Sequence, residues 1–176
     1  MEKLLNRRMI YKGRFFSVCQ DKVIEPGGLR ATRDVVLHGG SVVLLPVFAD
    51  GRILLVRQYR HSVSRFLWEL VAGHVEHGES ELAAARRELA EETGYTARRF
   101  RKLLDLFPTP GFLSEHMAIF SCTGLTPGAA RPEEDEKIQT GLFSRLQLKK
   151  MMRTGRLRDS KTIAALLYFA HVVRGR

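Results

Sequence analysis

The stretch Gly73-His74-Val75-Glu76-His77-Gly78-Glu79-Ser80-Glu81-Leu82-Ala83-Ala84-Ala85-Arg86-Arg87-Glu88-Leu89-Ala90-Glu91-Glu92-Thr93-Gly94-Tyr95 decides how the chain is read. Leu82, Ala85 and Leu89 recur at helical spacing among Ala, Glu and Arg, all good helix formers, so a helix is expected over residues 80–93. Gly94 stands where a left-handed C-terminal cap belongs. Glu88 and Glu92 are four apart and share one face, with Glu91 three from Glu88. Like charges so spaced repel by roughly a few tenths of a kcal/mol in a bare helix. The spacing alone leaves two compensations open. Arg87, with Glu91 as its (i, i+4) partner, could lace a solvated face with ion pairs. Alternatively, a divalent cation, which prefers carboxylate oxygens and bridges to phosphates, could sit there.

Around this helix the pattern is mostly strand. Phe15–Cys19, Asp21–Ile24 and Ala31–Leu37 read as short strands, with a Pro26-Gly27-Gly28 turn between them. The apolar run SVVLLPVF at 41–48, the Ala49-Asp50-Gly51-Arg52 turn and the run from Ile53 to Tyr59 read as a hairpin. Short extended pieces are expected at 66–71, 100–107, 116–123 and 138–143. Helices are expected at 146–154 and at 161–173, the latter capped by Asp159-Ser160. Strands mixed with few helices indicate an α+β or α/β sandwich.

Composition bounds the function. The chain has 176 residues, 44% hydrophobic and 27% charged, which excludes collagen-like, low-complexity and largely disordered classes. The net charge of +10 points to an anionic partner without choosing among nucleic acid, phosphate and acidic membrane. The acidic residues are gathered: six of the 19 lie between Glu76 and Glu92, and Glu133, Glu134, Asp135 and Glu136 add four. The basic excess lies elsewhere, with nine basic and one acidic residue in 145–176 and five against one in 1–14. Cys19 and Cys122 form no CxxC pair and read as buried reduced thiols rather than a zinc or disulfide framework. No apolar run approaches the roughly 18 residues of a membrane span. No signal-peptide pattern opens the chain, so a cytoplasmic location is expected.

Gly73, Glu79, Arg87, Glu88, Leu89, Glu91, Glu92, Gly94 and Tyr95 together read G-x5-E-x7-R-E-U-x-E-E-x-G-U, with U a bulky apolar or aromatic residue. By these residues the chain resembles the Nudix hydrolase family at every fixed position. The resemblance implies an α/β fold, an α/β/α sandwich with a mixed β-sheet in which the box forms a loop–helix–loop. It also implies metal-dependent hydrolysis of a nucleoside diphosphate linked to another moiety. Val56–Arg60, Trp68–Gly73, Phe107–Phe112 and Asp159–Thr162 are similar to the ADP-ribose pyrophosphatase branch, and Pro110 stands 16 residues after Gly94, where that branch carries a proline. Val71 and Gly40 depart from a family that often has proline there, which bears on backbone rigidity more than on chemistry.

The resemblance implies residue roles. Glu88 and Glu92 would be the main ligands of Mg2+, or of Mn2+ or another divalent cation, assisted by Glu91 and the Ala72 carbonyl. Glu79 would complete the acidic site, and Arg87 would orient a carboxylate. Arg60 would contact the diphosphate or a nearby sugar, and Ser114 and Glu115 the terminal ribose. The general base would come from the acidic loop, with Glu134 first and Glu136 second or a further metal ligand. His61, His74 and His77 read as polar surface or as support behind the metal ligands rather than as ligands, and Trp68 as packing beside the box. The implied substrate is ADP-ribose or a related nucleoside diphosphate sugar. Alternatives are another nucleotide sugar, a dinucleotide or an oxidised nucleotide, and, from a different class, a ligand-sensing or nucleic-acid-binding regulator. A homodimer is implied, with residues 1–38 as a dimerising β unit and 39–176 as the hydrolase domain.

Overall fold

Two residues set the ends of the decisive helix in the computed structural model, which describes residues 1–130 and 137–173. Ser80 is extended (φ −80°, ψ 150°) and accepts a hydrogen bond from the Ala83 N–H at 3.2 Å, so α1 runs Glu81–Thr93. Gly94 turns left-handed at φ 73° and donates its N–H to the Ala90 carbonyl at 2.9 Å. A β-carbon there would meet the Ala130 nitrogen at 2.6 Å and the Gly128 carbonyl oxygen at 2.7 Å. Ala84, Ala85, Leu89 and Glu92 are the buried side. Leu82, expected to share that side, is exposed although it lies on the same face as Leu89 and Thr93, because it belongs to the first turn of α1 and burial starts only at Ala84. The helix therefore turns Glu92 inward, with Glu88 largely covered beside it.

The larger of two compact units comprises Ser41–Asp105 and Ala118–Arg176. Its first sheet has the order β7-β4-β9-β8, with β4 Gly40–Pro46, β7 Val71–His74, β8 Tyr95–Leu106 and β9 His116–Pro127. The second has the order β10-β5-β6, with β5 Ile53–Arg60, β6 Arg65–Glu69 and β10 Gln139–Phe143. Every residue of β4 from Ser41 to Pro46 is buried, as a strand covered on both faces must be. Val42 and Leu44 pack with Leu54, Val56, Val71, Phe120 and Cys122 against Ala84, Ala85 and Leu89 of α1. The β4–β7 register pairs Val42 with Gly73 and Val43 with Ala72. Because paired residues share a face, Gly73 looks toward α1. Helix α2 (Arg145–Arg153) carries a Ser144/Gln147 capping box, and α3 (Ser160–Tyr168) is capped by Asp159 and followed by a π-helical turn, Phe169–Val173. The fold is of the expected mixed α/β class. Strand β8 starts directly after Gly94, earlier than its sequence suggests, because the left-handed cap reverses the chain without a loop.

The second unit comprises Met1–Gly40 and Leu106–Met117. It is an antiparallel sheet β1-β2-β3, with β1 Lys3–Lys12, β2 Phe16–Ile24 and β3 Arg30–His38. The two strands read from Phe15–Cys19 and Asp21–Ile24 are one continuous strand, β2. Strand β1 was not legible, since all ten of its residues are exposed and no buried alternation marks it. Arg7 grips the buried Asp21 with a fork of two bonds, Nε to Oδ1 at 2.7 Å and Nη2 to Oδ2 at 2.6 Å. That pairing outweighs burial and holds the Asp21 carboxyl below its ordinary range.

Two outcomes follow. Ser80→Ala should cost about 1 kcal/mol, read as a lower urea midpoint with an unchanged denaturant slope. Because the Asp21 pKa is depressed on folding, its contribution is present above the unfolded carboxylate value and lost as pH falls through the folded one. Asp21→Asn should therefore lower the calorimetric melting temperature at pH 7, and the difference from wild type should shrink steadily below about pH 4.

Candidate active site

Arg87 is the hub of the box. Its Nε donates to Glu79 Oε1 at 3.1 Å and its Nη2 to Glu79 Oε2 at 3.0 Å. Nη1 donates to Glu88 Oε1 at 2.7 Å and to Glu91 Oε2 at 3.1 Å, and Nη2 also reaches the His74 carbonyl at 2.9 Å. One guanidinium thus joins three carboxylates and the end of β7. Glu79 accepts further from the Glu76 N–H at 3.1 Å. Arg87 holds the Glu79 carboxyl below its usual range, against a smaller upward push from burial, and the Arg87 pKa is raised in return. The Glu88 carboxylate lies on Gly73, where a β-carbon would overlap it. Glu88 is 13% exposed at its side chain and Glu92, one turn on, 7% exposed overall, while Glu91 at 44% lies on the rim. A solvated ion-pair face, the first of the two compensations considered for this helix, does not describe Glu88 and Glu92.

A second charged cluster was not expected from sequence. Antiparallel pairing of Arg60 with Arg65 and of Val56 with Glu69 puts Arg60 and Glu69 on one face of the β5–β6 hairpin. Arg60 Nε donates to Glu69 Oε1 at 2.9 Å and Nη2 to Oε2 at 2.8 Å. Lys161 Nζ donates to Glu69 Oε2 at 2.6 Å and to Asp159 Oδ1 at 2.9 Å. Asp159 accepts from the Thr162 N–H at 3.0 Å, and Leu70 donates its N–H to the Thr162 hydroxyl at 2.8 Å. Burial pushes the Glu69 carboxyl up, but Arg60 and Lys161 together leave it lowered.

The NUDIX domain family model matches residues 37–166. The chain belongs to the Nudix family. Among its relatives, the ADP-ribose pyrophosphatase of Bacillus subtilis is 32% identical over 169 residues, covering 95% of this chain and 91% of that protein. The ADP-ribose pyrophosphatase of Mycobacterium tuberculosis is 34% identical over 175 residues, covering 97% and 84%. A crystal structure of an ADP compounds hydrolase shares the Nudix fold, with a TM-score of 0.87 and 22% identity over 99% of this chain and 95% of that one.

The structure brings Glu79, Arg87, Glu88 and Glu91 of the Nudix box into one network, with Glu92 on the same inward side of α1 and Ala72 beside Gly73 in β7. Arg60 engages Glu69. Ser114 and Glu115 belong to the unit that contains β1–β3, where the Ser114 hydroxyl accepts from the His38 N–H at 2.9 Å and donates to the His38 carbonyl at 3.2 Å. Glu115 lies 3.9 Å from His38 Nδ1. Glu134 and Glu136 lie outside the described residues. His61, His74 and His77 are exposed, and Trp68 packs edge-on against Phe143 at 4.8 Å between centroids. Both cysteines are free and buried, and burial pushes the Cys122 thiol up to about 12.

The donor chemistry of the box suits a hard divalent cation. Its inward side chains offer carboxylate oxygens and neither thiol nor imidazole. The Gly73 cradle leaves Glu88 a fixed seat beside the β7 backbone. Gly73→Ala should therefore fold, because the colliding group is the far end of a side chain, yet displace Glu88. Calorimetric titration with Mn2+ should show affinity weakened about 10- to 100-fold. An unchanged titration would show that the seat does not matter.

Proposed function

We propose that this Nudix protein hydrolyses the diphosphate bond of ADP-ribose to AMP and ribose 5-phosphate with the help of Mg2+. The observation that carries the reading is the convergence of the box carboxylates about Arg87 and Gly73. The near full-length likeness to ADP-ribose pyrophosphatases supports the choice of substrate. When bound, the cation supplies neutralisation of the diphosphate oxygens and holds the reacting phosphorus in line. Glu88 and Glu92 would hold it, with Glu91, Glu79 and the Ala72 carbonyl assisting. Arg87 keeps Glu79, Glu88 and Glu91 in register while the site is charged. Arg60 takes the diphosphate, and Ser114 and Glu115 the terminal ribose. Water attacks one phosphorus, the bridging P–O bond breaks, and Glu134 takes the proton, for which it must come within about 3 Å. Glu136 is the second choice for that role.

The protein works as a cytoplasmic homodimer in this reading. Leu4, Leu5, Met9, Ile10, Tyr11, Phe15 and Phe16 are large apolar side chains exposed on the unit of residues 1–38, more than a soluble surface ordinarily leaves uncovered, and this supports its role in dimerisation.

A panel of ADP-ribose, GDP-mannose, a dinucleoside polyphosphate and an oxidised nucleotide, assayed with Mg2+, tests the substrate. ADP-ribose should lead on kcat/KM, and finding it among the slowest substrates would sink the reading. Glu92→Gln should lower kcat on the order of 100-fold or more, with no activity restored by raising ADP-ribose. Turnover within a few-fold of wild type would remove the metal assignment.

A further inference from the structure

Glu69 is a carboxylate almost wholly withdrawn from water, with its side chain 2% exposed, and it is not part of the Nudix box. Its two oxygens serve two cations. Arg60 takes both through its fork, and Lys161 adds a third bond. A buried ion pair of this kind is poor evidence for stability, since an apolar replacement of the same shape is often as stable. What such a pair does supply is direction. The fork fixes the plane and the azimuth of the guanidinium, and Arg60 has five N–H donors, of which two point at Glu69. Its side chain is 39% exposed, so the guanidinium is reachable from solvent while its inner edge is pinned. The pin itself is anchored. Lys161 is held by Asp159, and Asp159 is held by the first turn of α3 through the Thr162 N–H. Thr162 in turn receives the Leu70 N–H, one residue beyond Glu69. The chain of bonds closes on itself. The Arg60 pKa is raised, chiefly by its bonds to Glu69 and more weakly by the charges of Glu92 and Asp159.

We propose that Glu69 is a positioning residue, held by Lys161 and Asp159, that aims Arg60 at the diphosphate of the substrate. This rests on the reading of Arg60 given above. A glutamine at 69 keeps the size of the side chain but turns an NH2 toward one of two cations, so the fork breaks and Arg60 loses its aim. Lysine at 161 acts one step further away and should have a smaller effect of the same kind.

The test is a double-mutant cycle on binding, which needs no turnover. The affinity for ADP is measured by calorimetry in the presence of Ca2+ for wild type, Arg60→Ala, Glu69→Gln and the double variant. Each single variant should bind ADP about tenfold more weakly, and Glu69→Gln should add less than about twofold on the Arg60→Ala background, because there is no longer an arginine to aim. In hydrolysis of ADP-ribose, Glu69→Gln should raise KM more than it lowers kcat. Should Glu69→Gln fail to fold, the same cycle with Lys161→Met decides. Additive losses, an unchanged ADP affinity in Glu69→Gln, or no measurable ADP binding by wild type would each overturn the inference. Wild type that binds ADP but does not hydrolyse ADP-ribose would instead sink the proposed reaction and leave the cycle readable.

Discussion

Gathering carboxylates in one place costs electrostatic energy, and in this chain the Arg87 guanidinium offsets that cost. Glu79, Glu88 and Glu91 come from a loop and two successive turns of α1, and all three are bonded to the same side chain. Lysine could not do this, because a single ammonium lacks the planar fork that reaches several oxygens at fixed angles. The hub also ties the helix to β7 through the His74 carbonyl. The β4–β7 register then matters, since it is what turns Gly73 rather than Ala72 toward α1 and leaves room for Glu88.

Much of this was legible in the chain, and the reason is periodicity. A helix repeats every 3.6 residues, so the spacing of Arg87, Glu88, Glu91 and Glu92 determines which of them are neighbours before any fold is known. The ends were legible as well, because Ser80 and Gly94 do chemically specific work there. What spacing could not say was which way the helix faced. Of the expected apolar side, Ala85 and Leu89 are buried and Leu82 is not, and the buried face also takes in Glu92, which spacing alone did not mark as inward. Strand β1 was missed for the complementary reason: with every residue exposed, it carries no buried alternation to read. The Glu69–Lys161 bond joins positions 92 apart in sequence, and no local rule reaches so far. Its two halves stand in stretches similar to the ADP-ribose pyrophosphatase branch, Trp68–Gly73 and Asp159–Thr162, and a charged residue inside each is the available signal.

The net charge of +10 takes on a different meaning once its placement is known. Residues 145–158 contribute Arg145, Lys149, Lys150, Arg153, Arg156 and Arg158, all exposed, whereas the inward side of α1 carries Glu88 and Glu92. A total that left nucleic acid, phosphate and acidic membrane open resolves into exposed basic residues, whose field attracts phosphorylated molecules, and carboxylates gathered on the inward side of α1.

Gly94 answers to two masters. Left-handed backbone alone would admit asparagine at modest cost, and a tight contact alone would admit glycine in any conformation. Here the two demands coincide, because the residue that ends the helix also lies against the backbone of Gly128 and Ala130. The backbone of residues 128–130 is thereby indexed to the last turn of α1. An absent side chain thus fixes the end of the helix against a stretch of chain more than thirty residues further on.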